Sequence, residues 1–275
     1  MTTGDLNNDG NRDLITSNIR HDFVSVLLGD GNGAFGAPIQ VSVGPAGATS
    51  LPHQVGPYGV VVKDFNNDGN EDVAVAVWGA NAVRILTGNG TGVLAVGNSY
   101  TVGTSPRGLS AGDFNNDGKV DLAVVNSGAG EDSLHVLQGN GDNTFVVSSP
   151  INAGSSPIEI AAGDLDRDGN MDILVSAAAG KVFRLLGHGN GTFRDPEAFS
   201  IGTDKQSQEF SVIADLNNDG FPDLASISNT YGQTGSMGVL LAQPVTPGSL
   251  KFTPVAGQIG TATITVTVED GGPDG

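Results

Sequence analysis

The sequence contains no cysteine, which excludes disulfide bonds, thiol nucleophiles and zinc–thiolate sites. It is also poor in positive charge, with 12 lysines and arginines against 30 acidic residues and a formal net charge of −18. Such a surface would repel nucleic acid, so we expect no nucleic-acid partner. No hydrophobic run is long enough to span a membrane, and none resembles a signal peptide, so we expect no membrane insertion.

Signals of catalysis are also missing. The four histidines show no metal-ligand spacing, and the glycine-rich turns lack the Gly-Lys-Ser/Thr ending that a phosphate-binding loop needs. Isolated acids such as Glu131 and Glu159 would serve glycoside chemistry only if the fold brought two of them together. We therefore predict that the chain is not an enzyme.

A nine-residue motif is present five times, reading Asp-x-(Asn/Asp)-x-Asp-Gly-x-x-Asp. The copies are loop 1 (5–13), loop 2 (64–72), loop 3 (113–121), loop 4 (164–172) and loop 5 (215–223). Oxygen-bearing side chains recur at the first, third, fifth and ninth places, and the glycine at the sixth place permits a sharp turn. The seventh residue varies in chemistry, as expected where only its backbone carbonyl is a ligand. Six to eight oxygens are the shell that calcium prefers.

We therefore predict about five structural calcium ions. Magnesium prefers a smaller and partly hydrated octahedral site, and hairpin-turn chemistry explains one Asp-Gly copy but not five with both outer acids kept. The predicted ligands, loop by loop, are Asp5, Asn7, Asp9, Asn11, Asp13; Asp64, Asn66, Asp68, Asn70, Asp72; Asp113, Asn115, Asp117, Lys119, Asp121; Asp164, Asp166, Asp168, Asn170, Asp172; and Asp215, Asn217, Asp219, Phe221, Asp223.

The charge supports a structural role for the ions. Five calcium ions would add +10 and leave −8, so much of the acidity belongs to ligands. With affinities of roughly 10⁻⁴–10⁻³ M and millimolar calcium, each site would add about 0.4–1.4 kcal/mol to the free energy of unfolding. Summed over five sites, this contribution is a large share of the free energy of unfolding of a typical domain, which is about 5–15 kcal/mol.

The spacing of the motif predicts the architecture. Successive copies start 59, 49, 51 and 51 residues apart, which is the range of propeller blades. Each unit has the pattern of four short strands, and strands such as 72–77 are apolar on both faces. The 42 glycines and 13 prolines interrupt the chain at turn spacing, without sustained helical periodicity. An all-β, radially repeated fold follows.

The repeated string resembles the FG-GAP (VCBS-type) repeats from residue 1 to about 253. The resemblance lies in Gly-Asp-(Leu/Phe)-Asn-Asn-Asp-Gly-x-x-Asp-(Leu/Val), followed by an aliphatic strand and a Leu-Leu-Gly-x-Gly-Asn-Gly-x-Phe hairpin. Those repeats build the calcium-stabilised β-propeller of integrin α-subunits and many bacterial surface proteins. The resemblance thus implies a β-propeller of about five four-stranded blades with a calcium loop in each, against seven blades in integrins.

Both ends of the chain depart from the repeat. Only residues 1–3 precede the Gly-Asp pair that opens the first copy of the repeated string, so we expect the first unit to lack its leading strand. We divide the chain into a propeller, 1–253, and a C-terminal strand region, 254–275. This tail either closes the ring by supplying the missing strand or begins an Ig- or cadherin-like module, and we favour closure because an unpaired blade edge promotes aggregation.

The face opposite the calcium loops is the candidate ligand surface. Exposed aromatics beside amide and charged groups suit sugar or peptide binding, because a ring can stack while its neighbours form hydrogen bonds. The alternative for the tryptophan is that it only plugs the propeller. The candidate residues are Arg20, His53, Tyr58, Trp78, Asn81, Arg107 and Tyr231.

The sequence thus predicts a calcium-stabilised extracellular adhesion or ligand-binding module with a glycan or protein ligand. It is expected to be secreted or attached to the cell surface, because weak calcium loops need millimolar calcium, and to be part of a larger multidomain protein. The alternatives are a polysaccharide-degrading lyase or hydrolase on the same scaffold, and a structural spacer without a ligand.

Overall fold

The computed structural model describes most of the chain. The described residues are 1–44, 56–128, 131–178, 181–200, 207–217, 223–229, 236–246, 249–254 and 264–266. They divide into two compact units, Met1–Ala153 and Gly154–Gly275, and each is considered by itself. Apart from a short 3₁₀ helix, Trp78–Ala80, the regular elements of the described residues are β-strands. None of the described helices is long and apolar enough to cross a membrane.

The described part of the first unit contains three antiparallel sheets. The first sheet has the order β1 (Thr2–Gly4), β2 (Asp13–Ser17), β3 (Phe23–Leu27), β4 (Ile39–Ser42); the second has β5 (Pro57–Lys63), β6 (Asp72–Val77), β7 (Ala82–Gly88), β8 (Leu94–Thr101); the third has β9 (Pro106–Gly112), β10 (Asp121–Asn126), β11 (Ser133–Gly139), β12 (Phe145–Val147), with β13 (Ile151–Asn152) also paired to β11.

The described part of the second unit contains two antiparallel sheets. The fourth sheet has the order β14 (Pro157–Gly163), β15 (Asp172–Ala177), β16 (Lys181–Leu185), β17 (Glu197–Ser200); the fifth has β18 (Ser207–Ala214), β19 (Asp223–Asn229), β20 (Ser236–Thr246), β21 (Ser249–Pro254), β22 (Ile264–Val266). Across both units this confirms the prediction of an all-β chain built from about five four-stranded units.

The second strand of the second, third and fourth sheets is buried along its whole length. These strands are β6, β10 and β15, and each begins with the ninth Asp of its loop. Their small, β-branched sequences, such as Asp-Val-Ala-Val-Ala-Val in β6, suit a strand covered on both faces. The outer strand β8 is mostly exposed, so the second sheet runs from a buried second strand to a solvated edge.

Neighbouring sheets of the first unit share hydrophobic cores. The core between the second and third sheets contains Phe65, whose ring meets that of Phe145 edge-on at a centroid distance of 5.7 Å. The Tyr100 ring also meets that of Phe145 edge-on, at a centroid distance of 5.6 Å, and its hydroxyl accepts a hydrogen bond from the Phe145 N–H at 3.1 Å. The partly buried tyrosine therefore has a partner for its hydroxyl.

The leading strand of each of the later sheets carries an irregularity near its start. Register shifts occur between Pro57 and Val60 in β5 and between the partners of Val124 and Asn126 in β9. β14 and β18 have similar shifts. A β-bulge bends its strand and redirects the side chains at that point. In each of these four sheets the bulged end lies opposite the end that enters the repeated loop.

The structure corrects the prediction for the first unit. Residues Thr2–Gly4 do form a leading strand, which pairs with Asp13–Ile15. The described part of the tail, β22, pairs with β21 at the edge of the fifth sheet. Residues 255–263 and 267–275 lie outside the described residues, so the division at 253 and the two alternatives for the tail stay predictions.

Candidate functional site: the repeated loops and an aromatic–arginine cluster

Each repeated loop connects the first and second strands of its sheet and uses two left-handed residues. The sixth-place glycines of loops 1–4 have φ between +81° and +87°, which glycine adopts without a steric penalty. The fourth-place residues also have positive φ, from +56° to +62°. Asparagine tolerates this region best among residues with a Cβ atom, which explains why it occupies the fourth place in four of the five copies. The fourth place was not part of the predicted loop pattern.

The first, third and fifth side chains form the rim of loop 1, where Asp9 is exposed and Asp5 and Asn7 are partly buried. Asp5 accepts the N–H groups of Asp9 and Gly10 at 3.1 and 2.9 Å. Asp9 in turn accepts the N–H of Asn11 at 2.8 Å and the side-chain amide of Asn7 at 2.9 Å. These hydrogen bonds lower the pKa of Asp9, with the N–H of Asn11 contributing most. The rim therefore presents carboxylate and amide oxygens around a small loop.

The ninth Asp of each described loop accepts hydrogen bonds from the backbone on the buried side of the loop. In loop 1 the N–H of Leu6 donates to one oxygen of Asp13 and the N–H of Gly29 to the other, both at 2.8 Å. Gly29 begins the turn that joins the third and fourth strands. The same pair of bonds recurs at 2.7–3.1 Å for Asp72 with Phe65 and Gly88, Asp121 with Phe114 and Gly139, and Asp172 with Leu165 and Gly187.

These four aspartates are fully buried, so their role extends beyond ligation. We call this pair of bonds the Asp clamp, because it fastens the loop to the neighbouring turn. Each carboxylate oxygen has two lone pairs, so a clamp Asp can also face an ion. Burial raises the pKa of Asp121 to about 6 and that of Asp172 to about 7, against the opposing effect of the two N–H donors.

Loop 4 shows the strongest fit to a cation among the described residues. One carboxylate oxygen from each of Asp164, Asp166 and Asp172 lies within 4.8 Å of the others. Burial and the neighbouring charge of Asp168 raise the pKa of Asp166. In loops 1–3 the first Asp accepts two N–H groups, whereas here Oδ1 of Asp164 is buried with no hydrogen-bond partner. Converging oxygens with an unused acceptor are what a hard cation requires.

Loops 3 and 5 differ from this arrangement. In loop 3 the ammonium of Lys119 lies 3.9 Å from Asp117, so a positive charge is already present at the rim. In loop 5 the N–H of Leu216 donates to Asp223 at 2.8 Å, which is half of the Asp clamp. Asp219 and Phe221 lie outside the described residues. Ligation by any of the 25 predicted residues stays a prediction.

At the end of the second and third sheets opposite the repeated loops, three of the residues predicted to bind a glycan or protein ligand lie together. The rings of Tyr58 and Trp78 lie 4.9 Å apart between centroids and are tilted by 32°. The guanidinium carbon of Arg107 lies 5.2 Å from the Tyr58 ring centre and 5.8 Å from that of Trp78. All three side chains are half-buried. We call them the aromatic–arginine cluster.

Local backbone features bring the cluster together. Tyr58 and Arg107 both follow the proline that opens their strands, inside the bulges of β5 and β9. Gly59 allows the two strands to approach, because a Cβ atom there would lie 2.4 Å from the Arg107 carbonyl oxygen. Trp78 begins the 3₁₀ helix that follows β6. The cluster thus depends on the Pro-x-Gly pattern shared by residues 57–59 and 106–108.

Asn81 contributes by positioning the chain. It has a φ of +52°, and its N–H donates to the Trp78 carbonyl at 3.2 Å. Its side-chain oxygen accepts the N–H of Ser105 at 3.0 Å, which fixes the segment that leads to Arg107. Arg20 is exposed in the turn before β3. His53 and Tyr231 lie outside the described residues, and contact of any predicted residue with a ligand stays a prediction.

Comparison with known proteins identifies a family match. The family model described as FG-GAP-like repeat matches residues 5–75, 64–124, 113–175 and 174–226. No curated protein matches the sequence significantly.

Several solved structures are similar to the chain. A lectin of Agrocybe aegerita that recognises non-reducing terminal N-acetylglucosamine is 18% identical, with a TM-score of 0.55 over 98% of this chain and 80% of that one. A protein from Lactobacillus plantarum is 13% identical, with a TM-score of 0.60 over 88% and 67%. A putative 6-phosphogluconolactonase from Bacteroides uniformis is 12% identical, with a TM-score of 0.54 over 94% and 69%. At these identities the likeness shows the fold alone.

Proposed function

Because the chain belongs to the FG-GAP-like repeat family of β-propellers, we propose that it is a calcium-stabilised extracellular module that binds a glycan or protein ligand through the aromatic–arginine cluster. The cluster is the observation that carries this proposal. Two tilted rings and a guanidinium, half-buried at one end of the sheets, offer stacking surfaces beside hydrogen-bond donors. The lectin among the structural neighbours supports a glycan as the ligand.

Calcium would serve stability in this proposal. The repeated loops offer oxygen donors only, and loop 4 supplies converging carboxylates with an unused buried acceptor. Tyr58 and Asp64 lie six residues apart at opposite ends of β5, a distance of about 20 Å for an extended strand. A bound ion would therefore neutralise the loops and hold the sheets in place without touching the ligand. Millimolar calcium outside the cell suits such sites, which favours a secreted or surface-attached module of a larger protein.

The acids on the ligand side favour binding over catalysis. Glu131 is held by the backbone N–H and the hydroxyl of Thr104, and this hydroxyl lowers its pKa. An acid that must donate a proton to a glycosidic oxygen needs a raised pKa. We therefore propose a module that does not act as an enzyme.

The test is a binding screen of glycans and extracellular proteins in millimolar calcium. Trp78→Ala should abolish the binding found, because it removes half of the stacking surface. Phe35→Ala is the matched control, since Phe35 is 44% exposed in the turn between β3 and β4 beside loop 1. Binding that survives Trp78→Ala but is lost in Phe35→Ala would move the ligand to the loop face. Absence of binding by a folded, calcium-loaded protein would favour the structural spacer.

A further inference from the structure

We infer that the aromatic–arginine cluster selects sugars that carry a carboxylate, with the Arg107 guanidinium as the group that recognises the charge. This inference rests on the proposed function, because it names the ligand class of the same surface. Uronic acids and sialic acids share the required chemistry, a pyranose ring with an attached carboxylate.

The donors of Arg107 are available. Among the described residues, no carboxylate lies within 4 Å of its guanidinium nitrogens, and the ion pairs found there are Lys119–Asp117 and Arg184–Glu197. No hydrogen bond of the Arg107 side chain occurs within the same part of the chain. Arginine has five N–H donors in a planar fork that matches a carboxylate.

The stacking of Arg107 is compatible with this role. A cation–π contact uses the face of the guanidinium, whereas the N–H donors lie along its edge. The rings of Tyr58 and Trp78 therefore hold the guanidinium in one orientation and restrict its rotation before a ligand arrives. Their remaining surface can contact the apolar face of a sugar ring. A carboxylated sugar satisfies the rings and the donors together, whereas a neutral sugar leaves the charge unpaired.

Comparison of the residue after the leading proline in three sheets argues against a purely structural role for Arg107. Arg107 occupies the position after the proline at the start of β9, and the same position is Tyr58 in β5 and Ile158 in β14. Ile158 is buried, with 8% of its surface exposed. The bulge thus forms with an aromatic, a cation or an aliphatic residue, so its geometry does not require arginine.

The acidity of the chain does not oppose an acidic ligand at this site. The loop acids lie at the other end of the strands, about 20 Å away along β5. The Debye length at physiological ionic strength is about 8 Å, so their repulsion is largely screened. The loop acids therefore contribute little to the electrostatic potential that a ligand meets at Arg107.

The test compares two acidic probes with neutral counterparts by calorimetry in millimolar calcium. Trigalacturonate is paired with its methyl ester, and sialyllactose with lactose, so the two pairs also separate the two sources of the carboxylate. We expect at least one acid to bind about 10- to 100-fold more tightly than its counterpart, as a charge-assisted hydrogen bond provides. Arg107→Gln should remove this preference, and Arg107→Lys should restore part of it.

Lys63→Gln is the matched control, because it removes the same charge at the opposite, exposed end of β5 and should leave the preference intact. Melting curves of all three variants confirm that they are folded. Equal binding of acid and neutral counterpart, lost in Trp78→Ala, would overturn the inference while the proposed function stands. Failure of both acids to bind, with a neutral glycan or protein ligand found in the wider screen, would also overturn it. Failure of every sugar and protein would overturn the proposed function itself.

Discussion

The Asp clamp predicts that two aspartates of the same loop respond differently to calcium removal. Asp13→Ala removes the acceptor of two buried N–H groups, those of Leu6 and Gly29. A buried donor left without a partner costs about 1–3 kcal/mol, so the variant should lose roughly 2–6 kcal/mol. That is a large part of a domain stability of about 5–15 kcal/mol. Because the clamp needs no ion, most of the loss should persist in chelator.

Asp9→Ala is the matched substitution four residues earlier. The Asp9 side chain is exposed, and water can replace it as hydrogen-bond partner of Asn7 and Asn11. In chelator the change should therefore stay within about 0.5 kcal/mol. In millimolar calcium it should cost about 0.4–1.4 kcal/mol more, the contribution of one site at the affinity we propose.

Urea denaturation followed by tryptophan fluorescence measures both variants. Trp78 is the one tryptophan of the chain and lies in the same compact unit as loop 1, so its emission reports the relevant unfolding. Each variant is compared with the parent in calcium and in chelator, with free energies from linear extrapolation. A loss below about 1 kcal/mol for Asp13→Ala in chelator would refute the clamp. A loss that appears only with calcium would make Asp13 a ligand alone.

Three further predictions concern other parts of the structure. Gly10→Ala should cost about 1–2 kcal/mol with or without calcium, because φ is +84° while nothing lies within 4 Å of the added Cβ; an unchanged urea midpoint would contradict this. His135 is buried, which lowers its pKa although the charge of Glu131 opposes the shift, and its Nδ1 lies 3.0 Å from the amide of Asn126. The unfolded chain then binds the proton more readily than the folded protein, so the free energy of unfolding should fall as the pH drops below about 6.5. His135→Gln should make this pH dependence shallower in urea titrations. Arg184 is 3% exposed and has two unpartnered nitrogens, and its ion-pair partner Glu197 is 45% exposed, so water can solvate that carboxylate when the arginine is removed. Arg184→Met should therefore stabilise the chain by about 1–2 kcal/mol, and a lower melting temperature would contradict the assigned cost.

The sequence predicts the repeated part of this molecule well for a physical reason. The chemistry of each repeated loop depends on residues within one nine-residue segment. The burial of strands such as β6 is indicated by a continuous run of small apolar residues. The position of every repeated loop between the first two strands of its sheet followed from these local signals. The leading strand Thr2–Gly4 was missed because three residues carry no periodicity, and its pairing with Asp13–Ile15 specifies it instead.

Features that depend on contacts distant in sequence could not be predicted. The Asp clamp joins Asp13 to Gly29, and the spacing of 16 residues between them varies from one repeat to the next. The aromatic–arginine cluster joins residues 58, 78 and 107, which the sequence analysis named as separate candidates on one face. Their convergence needs two bulges and the close approach permitted by Gly59. No sequence pattern of single residues encodes that geometry.

The reach of the Asp clamp along the chain bears on how the protein assembles during synthesis. Its two bonds span 7 residues and 15–18 residues, so each repeat contains everything needed to close its own loop. A ribosome adds about 5–20 residues per second, so a repeat of about 50 residues emerges every ~2.5–10 s. Loop closure and hairpin formation take microseconds. Each repeat therefore has time to form its Asp clamp before the next repeat leaves the ribosome. Substitution of a clamp aspartate should first slow the folding of the repeat that contains it.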